Sequence, residues 1–126
     1  MRRTAVTGER GETLVAEYLR QRGFIITERN YHSRYGEIDI IAESREYILF
    51  VEVKTRRSGS LASPREAVDY HKRKKIALTA SVYLSKTETE LQPRFDVAEV
   101  VFSGAEGREE YKINYIENAF ALEAMC

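Results

Sequence analysis

Apolar and polar positions alternate along two neighbouring stretches, Gly36-Glu37-Ile38-Asp39-Ile40-Ile41 and Phe50-Val51-Glu52-Val53-Lys54-Thr55. A period of two marks a strand, whose side chains point to opposite faces in turn. On that pattern Glu52 and Lys54 share one side of their strand, and Val51, Val53 and Thr55 share the other. In the first stretch Glu37, Asp39 and Ile41 oppose Ile38 and Ile40. A tight turn around Arg45-Glu46 sets Asp39 opposite Glu52 and Glu37 opposite Lys54. Carboxylates placed directly across an antiparallel pair repel each other. A divalent cation turns that repulsion into a site, since Mg²⁺ takes oxygen ligands and is commonly held by one or two carboxylates.

The rest of the pattern completes an α/β order. Helical spacing of Leu14, Val15, Tyr18, Leu19 and Arg22 predicts a helix over about residues 8–22, ended by Gly23. Strands are expected over about 24–30, 37–42 and 47–55, followed by a loop over 56–63. Ser63 is then a helix cap, with Pro64 at the first helical position and Glu66 completing a capping box. That helix reaches about residue 85, with Val68, Ile76, Ala80 and Tyr83 or Leu84 on one side. Further strands are expected over about 94–102 and 111–116. The reading is one domain over residues 1–126, with its core at about 8–117 and a tail at 118–126. Its core order is α-β-β-β-α-β, with one or two strands after the second helix, a central mixed sheet flanked by helices.

Composition narrows the class. A chain of 126 residues that is 43% hydrophobic and 32% charged suits one soluble domain with a densely charged surface. No apolar run approaches the roughly 20 residues that span a bilayer. There is no apolar signal segment, and the single cysteine, Cys126, excludes an internal disulfide and cysteine-based metal sites. A cytoplasmic location, without a membrane partner, is the default expectation. The net charge of zero hides an asymmetry. Between Lys54 and Lys75 the balance is +6, and between Glu88 and Cys126 it is −6. A basic face of that kind suits a polyanion, although two complementary solvated surfaces would leave the same trace.

Beyond the strand acids, Glu12 lies about 20° round its helix from Leu19, at the edge of the apolar stripe. It either looks inward toward Asp39 and Glu52, or reaches solvent or a neighbouring arginine. Asp39 sits between two isoleucines although Asp is disfavoured inside strands. Lys72 is in line with Val68 and Ile76, unlike Arg73 and Lys74, so its stem can follow the core and carry its ammonium to the site or a phosphate. An ordinary solvent-seeking lysine fits the same spacing. Arg56 and Arg57, on the loop after the Glu52-Lys54 strand, are placed to grip a nucleic-acid backbone or simply to be solvated. His71 suits a general base by residue type but is read as a surface histidine beside a lysine run, and Tyr31, Tyr35 and Tyr70 could stack on bases but are read as core or rim. Arg94 and Asp96 are read as a structural pair.

Asp39, twelve intervening residues and then Glu52-Val53-Lys54 resembles the PD-(D/E)xK nuclease pattern, with Ile38 where a proline is usual. Gly8-x-x-Gly11-Glu12, Gly36-Glu37-Ile38-Asp39, Phe50-Val51-Glu52-Val53-Lys54 and Arg94-Phe95-Asp96-Val97 together resemble the YraN-like family of uncharacterised bacterial proteins. That family is similar to archaeal Holliday-junction resolvases. The resemblance implies a restriction-endonuclease-like fold and a metal-dependent endonuclease acting on DNA, with branched DNA in repair or recombination as a candidate substrate. It implies Mg²⁺, with Mn²⁺ as a substitute, held by Asp39, Glu52 and the Val53 backbone carbonyl, with Glu12 joining directly or through water. Lys54 would orient the water or face transition-state charge, and Arg56, Arg57 and Lys72 would hold nucleic acid. The resolvases work as symmetric dimers, which extends to a homodimer here by analogy. The alternatives are a nucleic-acid-binding module of nuclease fold without independent catalysis, and an interaction protein whose acids and Lys54 form an ion-pair network.

Overall fold

A computed structural model describes residues 2–59, 70–105 and 107–120, with backbone alone for 2–7. The elements are α1 (Arg2–Gln21), β1 (Ile25–Ser33), β2 (Gly36–Glu43), β3 (Tyr47–Arg57), α2 (Tyr70–Lys86), β4 (Gln92–Ser103) and β5 (Glu110–Phe120). The strands form one sheet in the order β1-β2-β3-β4-β5. Only β3 and β4 run parallel, joined through α2, and the other neighbours are antiparallel. This is the expected mixed sheet with a helix on each face, consistent with a restriction-endonuclease-like core.

The core divides by face. Val15, Ala16 and Leu19 of α1 pack on Ile40, Ala42, Leu49, Val51, Ala98, Val100 and Phe102. On the opposite face Ile76, Ala77 and Ala80 of α2 cover Ile38, Ile41, Ile48, Phe50, Phe95, Val97 and Phe120. Even-numbered β3 residues therefore face α2, which places Glu52 and Lys54 on that side, and Val53 packs toward α1. Thr55 also faces α1: a Cβ built on Gly11 would lie 2.2 Å from the Thr55 Oγ1. Gly11 is thus where the helix backbone comes down onto the sheet.

Several expectations need correction. The first helix starts at Arg2 instead of near residue 8. Arg56 and Arg57 are not on a loop; they are the last two residues of β3, paired with Val101 and Phe102 of β4. The parallel partner continues the ladder past the point where composition suggested a break. Strict alternation in β2 also fails, because Ile38 joins Ile41 on the α2 face while Ile40 lies on the α1 face. The proposed cap Ser63, with Pro64, Glu66 and Val68, lies outside the described residues.

The β2–β3 turn follows the expectation. Ser44 N–H donates to the Tyr47 carbonyl at 2.9 Å, and the Ser44 hydroxyl accepts from Glu46 and Tyr47 N–H. The resulting ladder runs from Glu43↔Ile48 to Ile40↔Val51 and ends there. Yet β2 stays paired with β1 to Gly36, and β3 stays paired with β4 to Arg57. The sheet forks beyond Ile40 and Val51, so Asp39 and Glu52 are the first residues past the last paired rung.

Candidate active site

At the fork, the Val53 N–H loses its ladder partner on β2, and an unpaired buried N–H is costly. The Asp39 carboxylate replaces the missing carbonyl, accepting from Val53 N–H at 2.8 Å. Asp39 is only 8% exposed and Glu52 only 7%. Burial first, and then the charge of Glu52, pushes the Asp39 carboxyl up to about 7; Glu12 and Glu37 add smaller repulsions, and the Val53 N–H opposes the rise.

Glu52 carries two ammonium groups on one oxygen. Lys54 Nζ is 3.2 Å and Lys72 Nζ 3.0 Å from its Oε1. Burial lowers the Lys54 pKa, and Lys72 lowers it further, against the pull of Glu52. For Lys72 burial again works against the charge, but Lys54, Glu52 and Asp39 outweigh it and the pKa rises. Of the two readings left open for Lys72, the geometry selects the one that brings its ammonium to the acids.

Glu12 is partly inward. Its carboxylate lies 3.7 Å from the Arg29 guanidinium, while its charge still reaches Asp39. Among the described residues no group of three or more His, Cys, Asp or Glu side chains gathers as a metal cage. The donor chemistry nonetheless fits a hard cation. Asp39 and Glu52 are both buried and close enough for the charge of one to raise the other, and Mg²⁺ is usually held by one or two carboxylates with water filling its other positions.

Arg56 and Arg57 are engaged elsewhere. Arg56 Nε donates to buried Glu99 at 2.8 Å, and Asn114 donates to the same carboxylate at 2.6 Å. The Glu99 carboxyl is consequently held below its usual range, the two donors and the Arg56 charge outweighing burial. Arg57 pairs with Glu109 and donates to the Gly104 carbonyl at 2.7 Å. Arg94 and Asp96 form the expected pair, with the Tyr115 hydroxyl at 2.6 Å and Asn118 N–H at 2.9 Å completing the partners of fully buried Asp96.

The model of uncharacterised protein family UPF0102 matches residues 11–100. A UPF0102 protein of Caldanaerobacter subterraneus is 45% identical over 114 residues, covering 90% of this chain and 93% of the relative. The chain belongs to UPF0102. A UPF0102 protein of Alkaliphilus metalliredigens is 46% identical over 114 residues, 90% of this chain and 96% of its own. One from Clostridium botulinum is 42% identical over 117 residues, 91% and 94% of the two chains. UPF0102 is the YraN-like family indicated by the motifs, so the kinship stands while the chemistry rests on the site.

The cleft beside these residues has a volume of about 410 Å³ and is lined by Gly36, Glu37, Glu52, His71, Lys72, Lys75 and Ile76. Of these, the sequence singled out Glu52 and Lys72 as site residues, and the motif blocks also contain Gly36 and Glu37. Lys75 was detectable by its spacing, since it lies three positions after Lys72 and shares a helix face with it.

Proposed function

We propose that this protein is a metal-dependent nuclease hydrolysing DNA phosphodiester bonds, with branched DNA in repair or recombination as the substrate to test first. The observation that carries this reading is a pair of buried carboxylates, Asp39 and Glu52, at a sheet fork beside two lysines. Without an external cation, such a pair is held against its own repulsion. In this reading Asp39, Glu52 and the Val53 carbonyl are the oxygen donors, and Glu12 adds negative charge at longer range. A divalent cation bound there supplies Lewis-acid polarisation of the phosphate and an acidified water. Lys54 orients the attacking water and faces the charge that builds on the phosphate. Lys72, 3.0 Å from the Glu52 carboxylate, helps to neutralise it until substrate arrives.

A cleavage assay over duplex, single-stranded, flapped and four-way DNA, with Mg²⁺ or Mn²⁺, tests this. Cleavage is expected for the wild type and is reduced about a hundredfold or more by Asp39→Asn, Glu52→Gln or Lys54→Ala. The second reading, a nucleic-acid-binding module without independent catalysis, is favoured by Glu52 Oε1 already satisfying two lysines. Salt-dependent DNA binding with no cleavage under either metal would select it.

A further inference from the structure

Three observations converge on the cleft that opens between the tines of the fork on the α2 side. First, its helix wall presents His71 and Lys75 one turn apart, about 6 Å along the axis, with Lys72 between them reaching inward to Glu52. Second, Lys75 is exposed and makes no ion pair among the described residues, whereas Arg56 and Arg57 are tied to Glu99 and Glu109. Third, the opposite wall at its far end is backbone. Gly36, at a φ of 154°, faces α2 there, and a Cβ on it would be in ordinary contact, 3.5 Å from the Lys75 Cβ and 3.8 Å from Thr79 Oγ1. The remaining acid of that wall, Glu37, is exposed and lies 3.3 Å from His32.

We propose that His71 and Lys75 form a phosphate-binding subsite in this cleft, receiving the nucleic-acid backbone on the α2 side of the Asp39–Glu52 site. The proposal deepens the nuclease reading and rests on it for the identity of the polyanion. It moves the principal electrostatic grip from the end of β3 to the first turns of α2. A cation with no ion pair among the described residues, beside a wall that includes Gly36, can pair with phosphate without first breaking an ion pair. Arg56 and Arg57 would each have to give up a carboxylate.

The test is equilibrium binding of a short fluorescein-labelled DNA oligonucleotide, single-stranded and duplex, in EDTA, followed by anisotropy between about 50 and 200 mM salt. Lys75→Ala should weaken binding about three- to tenfold at the lower salt and reduce the slope of log K against log salt by about 1. His71→Ala should weaken binding less, and Lys75→Arg should restore it. Lys86→Ala, at the other end of the same helix, should leave both quantities unchanged, and circular dichroism should show all variants folded. Wild-type affinity and slope in Lys75→Ala and His71→Ala, with the wild type binding well, would overturn the subsite and leave the nuclease reading standing. Failure of the wild type to bind either DNA would overturn both.

Discussion

Asp39→Asn isolates the electrostatic cost of the buried carboxylate pair. The amide oxygen keeps accepting from Val53 N–H, and the new NH₂ can turn toward Glu52, so the substitution removes charge with little change of shape. The wild-type carboxyl titrates at about 7 in the fold against an ordinary 3.8. The native state therefore holds a proton that the unfolded chain releases between about pH 4 and 7. Stability contributed by that proton is fully present below about pH 4 and is lost as pH rises through 7. At about 1.4 kcal/mol per pH unit, the loss has a ceiling of about 4 kcal/mol, and relaxation of Lys54 and Lys72 toward Asp39 brings it to about 2–4. Urea denaturation of both proteins in EDTA, at pH 5 and pH 8.5, reads the difference directly. Asp39→Asn should gain about 2 kcal/mol or more on the wild type between those pH values. Added Mg²⁺ at tenfold its dissociation constant should return about 1.4 kcal/mol to the wild type at pH 8.5 and none to the variant. A stability difference that does not change with pH would refute the reasoning that burial and repulsion raise this carboxyl.

Glu52→Gln removes the second cause of that rise, so the Asp39 carboxyl should titrate lower than about 7 yet stay above 3.8, because burial is the first cause. Carboxyl-carbon NMR titration measures it, and an unchanged midpoint would rule out the repulsion. Gly11→Ala should destabilise by about 1–3 kcal/mol through overpacking against Thr55. In a Thr55→Ala background the sign should reverse, with a gain of about 0.5–1 kcal/mol from helix propensity. Denaturation of the four proteins settles this, and equal effects in both backgrounds would show that Thr55 is not the obstacle. Asp96→Ala strands the Arg94 guanidinium and two other donors, so a loss of about 3–5 kcal/mol is expected. Tyr115→Phe should lose only about 1 kcal/mol by the same measurement, and similar losses for both would contradict the ion pair's role.

Local chemistry alone determined the hairpin that carries the acids. Ser44 and its neighbours set a tight turn, alternation set the strands, and the two together set the register that leaves Asp39 and Glu52 just past the last rung, because a one-residue slip would turn every side chain to the other face. The motif blocks located the family for the same reason: their residues are neighbours in sequence. Period-two reasoning failed at Ile38, since the fork releases β2 from β3 there and lets the strand change phase. What only the tertiary structure decided is which charges meet across long separations. Lys72 comes from a helix eighteen residues beyond Lys54 to share its carboxylate, while Glu99 of the adjacent strand β4 and Glu109, just before β5, take Arg56 and Arg57. Burial and pairing of charge depend on packing in three dimensions, and no local pattern encodes the partner.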